Sequence, residues 1–115
     1  MATINEVNFF SATIASGVLD LSQGFGVYDV ETEGGASTDT ITSVTGVSAA
    51  DPGVYELRVA TPGHYWTIDH NVSGAIRLAY GGGFATSNPD DHIVLRTSDK
   101  GDYLIECYRM VIPAT

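Results

Sequence analysis

Basic side chains are scarce in this chain. Its 115 residues carry five of them, Arg58, Arg77, Arg96, Lys100 and Arg109, scattered singly against 14 acidic ones, for a formal net charge of −9. Neutralising phosphates takes clustered lysine and arginine, so no nucleic-acid partner is expected. Attachment to an anionic membrane surface fails for the same reason. Cysteine is rarer still: Cys107 stands alone, so an intrachain disulfide is impossible. Its apolar-rich, strand-like surroundings predict a buried, inert thiol. No run approaches the ~18 apolar residues of a membrane helix. Met1–Phe10 lacks the basic start and long apolar core of a secretory signal, so the chain is expected to stay in a cytosol or be assembled there into something larger. Helical periodicity is equally hard to find.

What is present favours strands. Thirteen glycines and abundant Val, Ile, Thr and Tyr argue for short β segments in a single domain. Turn signals recur about every ten residues, the spacing of a sandwich or barrel. Val18–Leu21 alternates. In the run Phe25–Glu31, Phe25, Val27 and Asp29 share one face and Tyr28 and Val30 the other. Thr40–Val47 is apolar at every third residue, which suits a helical turn or an irregular strand. Val54–Ala60 puts Tyr55, Leu57 and Val59 inward; Tyr65–His70 does so with Trp66 and Ile68, and Ala75–Tyr80 with Ile76, Leu78 and Tyr80. His92–Thr97 and Tyr103–Ile112 flank an Asp99–Asp102 hairpin turn, and Pro113 ends the last strand. Short loops close cheaply, so successive hairpins from Val54 to Ile112 predict an antiparallel meander.

Residues 1–15 read differently. Val7, Phe9, Phe10 and Ile14 are apolar, yet no turn folds them back. An edge strand of the same sheet and an arm reaching a neighbouring subunit or partner both fit. The arm is the working expectation, with residues 16–115 as one β-sandwich domain. On it, removing residues 1–14 should spare the fold and abolish docking.

Little in the chain suggests chemistry. His64 and His70 lie six apart on one strand, ~20 Å at 3.3 Å per residue, too far to share a metal within one subunit. They read as solvent-facing. Asp90-Asp91-His92 lacks the spaced oxygens of a calcium loop and reads as a solvated turn. Gly81-Gly82-Gly83 lacks the Lys-Ser or Lys-Thr of a phosphate loop. Ser16-Gly17 and Ser73-Gly74 sit in no nucleophile elbow. No enzymatic activity, cofactor or metal is expected. Tyr65, Trp66 and Tyr80 form the alternative, a platform on which a sugar could stack.

The most informative stretch is Glu31-Thr32-Glu33-Gly34-Gly35-Ala36-Ser37-Thr38-Asp39-Thr40-Ile41. Gly34-Gly35 marks a sharp change of direction, and Ser37, Thr38 and Asp39 can bond their own backbone to hold it. Gly34, Gly35 and Asp39 are therefore fold-defining. The stretch resembles the Asp-Thr-Glu-Gly-Gly-Ala-x-Thr-Asp signature of small β-rich modules in bacteriophage virions. Gly53–Arg58, Ala75–Leu78 and Asp91–Leu95 are similar to strands of that family, so the likeness runs from about residue 17 to 107. Glu31 stands where aspartate is usual, and Ile105-Glu106-Cys107 where a Trp-x-Glu ending is common. The resemblance implies an all-β, sandwich-like homotrimeric module without catalytic residues. A single free-standing module is similar to a capsid decoration, or cement, protein on the outer surface of a phage head; a fibre or receptor-binding module is the alternative. The implied partners are the major capsid protein and two further copies of the chain. The acidity suits a position outside the DNA-filled interior. The expected contact residues are Val7, Phe9, Phe10 and Ile14.

Overall fold

The computed structural model describes residues 7–112, without the side chain of Tyr80. Residues 1–6 of the expected arm and Pro113 lie outside the described residues. The chain is all-β, as expected. Its first strands are β1 (Phe9–Thr13), β2 (Val18–Asp20), β3 (Gly26–Glu31), β4 (Thr38–Ile41) and β5 (Ser43–Thr45). There follow β6 (Val54–Val59), β7 (Tyr65–Ile68), β8 (Ile76–Arg77), β9 (Phe84–Ala85), β10 (His92–Thr97) and β11 (Leu104–Met110). The Thr40–Val47 segment is thus two short strands, not a helical turn. Among the described residues no helix is long and apolar enough to cross a membrane.

The strands form a six-stranded sheet in the order β1-β3-β6-β10-β11-β8, a three-stranded sheet β4-β7-β9 and a pair β2-β5. Here the antiparallel expectation needs correction. β1–β3, β3–β6, β2–β5, β4–β7 and β8–β11 are parallel. Only β6–β10, β10–β11 and β7–β9 are antiparallel. The hairpin at Asp99–Asp102 forms, but β6 and β7 do not pair with each other. Thr61-Pro62-Gly63 is a corner that sends the chain into a different sheet, closed by the His64 amide donating to the Thr61 carbonyl at 3.0 Å. Each circuit of the chain then lies on the one before: β6 on β3, β7 on β4, β5 on β2.

The motif around Gly34-Gly35 is the corner of the earlier circuit. Gly34 (φ 65°) and Gly35 (φ 71°) both adopt left-handed backbone, which glycine takes without a Cβ penalty. The buried Thr32 hydroxyl donates to the Ala36 carbonyl at 2.6 Å, and the Asp39 carboxylate accepts from the Glu33 amide at 2.7 Å and the Thr40 amide at 2.8 Å. The next corner stacks directly upon it. Ala60 donates to the Val30 carbonyl, Tyr65 to the Ser37 carbonyl, and the His64 imidazole pairs with Glu31.

Inward positions follow the two-residue period of a strand. Tyr28, Val30, Tyr55, Leu57, Trp66, Ile68, Ile76, Leu78, Ile93 and Leu95 are all buried in one core. The supposed arm belongs to this body. β1 pairs with β3 over its whole length, from Phe9↔Val27 to Thr13↔Glu31. Ile14 is fully buried, and the Phe10 ring packs 5.1 Å from that of Tyr28. The reason is the same alternation: Phe10 and Ile14 fall on the inward side of an edge strand, whose open backbone edge is met by the Gln23 side chain donating to the Ser11 carbonyl at 2.8 Å. Residue 15 is therefore no boundary between an arm and a domain.

Candidate functional site

Strand alternation that buries Phe10 must expose Phe9. Register carries this across the large sheet. Phe9 lies beside Val27, Val27 beside Glu56, Glu56 beside Val94 and Val94 beside Tyr108. These five side chains make one row on the outward face, roughly 19 Å across at about 4.8 Å per strand. Phe9 is 61% exposed and Tyr108 48%. Val7 and Val54, also exposed, flank the row, and Met110 lies at its far corner. Parallel sheets are ordinarily covered on both faces. The β1–β3–β6 ladder is covered on one, so its other face is open to solvent, with Phe9, Val27 and Val54 as its apolar members.

The next row is polar up to its last member: Ser11, Asp29, Arg58, His92 and the apolar Met110 lie side by side. Arg58 donates to both oxygens of Asp29 and holds its guanidinium 5.2 Å from the centre of the Phe9 ring. That hydrogen bond to Asp29 is the chief reason the Arg58 pKa is raised, so the group stays charged. The His92 and Tyr108 rings lie 5.9 Å apart. Between the apolar row and the start of β3 runs an open groove of about 430 Å³, lined by Val7, Phe25, Val27, Val54, Val94 and Glu56 among others.

The four expected contact residues divide by face. Val7 and Phe9 belong to the outward surface; Phe10 is half-buried against the core, and Ile14, wholly buried, cannot meet a partner without unfolding β1. Val27, Val54, Val94 and Tyr108 were missed as surface residues. The alternation in β3, β6 and β10 did mark their side of the strand, but not that this side lacks a covering layer. Gly34, Gly35 and Asp39 lie at the corner, away from this face.

Other expected placements change too. Cys107 is exposed: the register shifts between Val94 and Leu95, and the extra residue of the bulge turns its side chain outward. Beyond the bulge Arg109 points inward, 5.2 Å over the Phe84 ring. Trp66 is 1% exposed and packs against Phe84, so it offers no platform to a sugar; Tyr80's side chain lies outside the described residues. His64 and His70 are half-buried and engaged, His64 with Glu31 and His70 through Nδ1, which accepts the Leu78 amide at 3.0 Å. Among the described residues no group of three or more His, Cys, Asp or Glu side chains could hold a metal.

Asp91 departs furthest from its expected role as a solvated turn. It is fully buried, and its carboxylate accepts backbone amides of Ser87 (2.8 Å), Asn88 (3.0 Å) and Ile112 (2.7 Å). It ties the loop before β10 to the chain after β11. Asp91→Ala removes the one acceptor shared by three part-buried amides and is expected to cost about 3 kcal/mol, read as a lower denaturation midpoint in urea.

Glu106 is the second anchored carboxylate, with 6% of its side chain exposed. Arg109 Nε donates to it at 2.7 Å and the Ala79 amide at 3.0 Å. The Arg109 bond chiefly, and the amide after it, hold its pKa below 4.5, against the upward pull of burial. A carboxyl depressed in the folded state adds stability above its unfolded pKa and loses it as pH falls through the folded one. Acid titration of Glu106→Gln should therefore show a shallower fall in stability below about pH 4.5 than the parent chain shows.

The chain matches no known protein family, no curated protein and no solved structure.

Proposed function

We propose that this protein is a structural component of a bacteriophage virion, a decoration protein that binds the outside of the head as a homotrimer, with the major capsid protein as partner. The apolar row on the outward face of the six-stranded sheet carries this reading. An exposed row crossing five strands, apolar at Phe9, Val27, Val94 and Tyr108 and charged only at Glu56, is where a protein of this size docks on another. The resemblance of the Gly34-Gly35 corner to virion modules supplies the setting, and the charge of −9 keeps such a protein away from packaged DNA. The docking role passes from a detached arm to a rigid sheet face on which Val7 and Phe9 remain. A preformed face loses less conformational entropy on binding than a loose arm would.

Native mass spectrometry and co-sedimentation with phage heads test it. A species of three times the 12.2 kDa chain mass and saturable binding to heads are expected. Phe9→Ser combined with Tyr108→Ser should weaken head binding at least tenfold while leaving thermal stability nearly unchanged, because both side chains already face solvent. A strict monomer with no affinity for heads overturns the proposal.

A further inference from the structure

Among the described residues, the groove beside the apolar row has one ionisable side chain in its lining, Glu56. Register places Val27 on one side of it and Val94 on the other, and Val54 is its same-face neighbour along β6. Among the described residues the Glu56 carboxylate makes no hydrogen bond and no ion pair. The nearby cations have their hydrogen bonds elsewhere: Arg58 bonds Asp29 and attracts Glu56 only through space, and Arg96 donates to the Thr97 carbonyl at 3.4 Å. Glu56 is half-buried between valines, and its carboxylate is solvated through the open groove.

Whatever fills the groove strips that water away. A purely apolar occupant would leave a carboxylate dry and unpaired, which is costly. An occupant with a cation at this point restores the lost interaction, and its aliphatic stem lies along the valines. The excess negative charge of the whole chain draws such a partner in. A second copy brings its own charge of −9 to the same place and is disfavoured here.

We infer that this groove receives an apolar segment of a protein partner bearing one lysine or arginine, whose cation pairs with Glu56. The inference names the chemistry of the partner in the docking reading above and rests on that reading only for who the partner is. Glu56 then acts as the selective element of an otherwise undiscriminating surface.

The test uses the full chain and three capped pentapeptides. These are Leu-Val-Lys-Val-Leu and its two relatives with norleucine or glutamate in the centre. In amide chemical-shift titrations the lysine peptide should move Val27, Val54, Glu56 and Val94. It should bind about tenfold tighter than the norleucine peptide, equivalent to a single well-placed ion pair. The glutamate peptide should bind weakest. Glu56→Gln should erase the preference for lysine with the remaining spectrum native, and Val94→Ser should weaken the lysine and norleucine peptides alike. Equal affinity for lysine and norleucine, shifts centred elsewhere, or a preference that survives Glu56→Gln overturns the inference. Head binding separates the two proposals. If the parent chain ignores heads yet discriminates the peptides, the virion reading fails and the groove stands. If Glu56→Gln decorates heads as tightly as the parent, the groove assignment fails and decoration stands.

Discussion

Removal of residues 1–14 is expected to abolish folding rather than release a freely docking arm. The deletion takes away β1, and with it the entire ladder from Phe9↔Val27 to Thr13↔Glu31. It strips the half-buried Phe10 from Tyr28 and the fully buried Ile14 from the core. Ile14→Ala alone should cost about 2–5 kcal/mol through lost burial and the cavity left behind. Domains of this size are stable by about 5–15 kcal/mol in all, so losing Ile14, Phe10 and a strand together approaches the whole margin. Far-ultraviolet circular dichroism of the truncated chain should lack the β spectrum, and its amide spectrum should collapse into the random-coil range. Ile14→Ala, still folded, should melt about 8 °C or more below the parent. A truncated chain that folds natively would restore the arm and remove β1 from the core.

The second large effect is expected at a glycine outside the motif. Gly26 opens β3 at φ 145°, where side chains are strained whatever the space, and a Cβ built there lies 2.3 Å from the Asn8 carbonyl oxygen. That oxygen cannot retreat freely, since it accepts the Val27 amide at 2.9 Å and so starts the β1–β3 ladder. Gly26→Ala should therefore cost more than about 3 kcal/mol. Gly34 makes the contrast. It has positive φ, but a Cβ there meets nothing within 4 Å. Gly34→Ala should cost about 1–2 kcal/mol, the ordinary left-handed penalty. Parallel urea denaturations rank the two. If Gly34→Ala proves the more damaging, the close approach of β1 to β3 at Asn8 is wrong.

These two positions show what a strand sequence can and cannot announce. Gly34-Gly35 is visible because it interrupts an alternating run with two residues that favour turns. Gly26 sits between Phe25 and Val27 like any strand residue, and its requirement comes from a backbone 18 positions earlier in the chain. Asp91 is similar. In sequence it is one carboxylate of a polar loop; only the return of Ile112 beside that loop makes it a buried anchor. The docking face was half visible. The inward partners Tyr28, Leu57 and Ile93 follow from alternation, and so do the outward ones. That Phe9, Val27, Val94 and Tyr108 form one row follows from register, which no single strand contains.

The sequence by itself determined that the protein is all-β, where most strands lie, which side chains of most strands share a face, and where the chain bends. Those properties are local: they depend on side-chain period and on backbone preferences a few residues wide. The tertiary structure alone decided which strands become neighbours, whether they run parallel, and that β1 closes the sheet rather than leaving it. Alternation is identical in a hairpin and in a stacked circuit, so Thr61-Pro62-Gly63 could announce a turn without giving its angle. Contact between β3 and β6 joins residues some thirty positions apart, and the choice among such pairings is made by burying one common core.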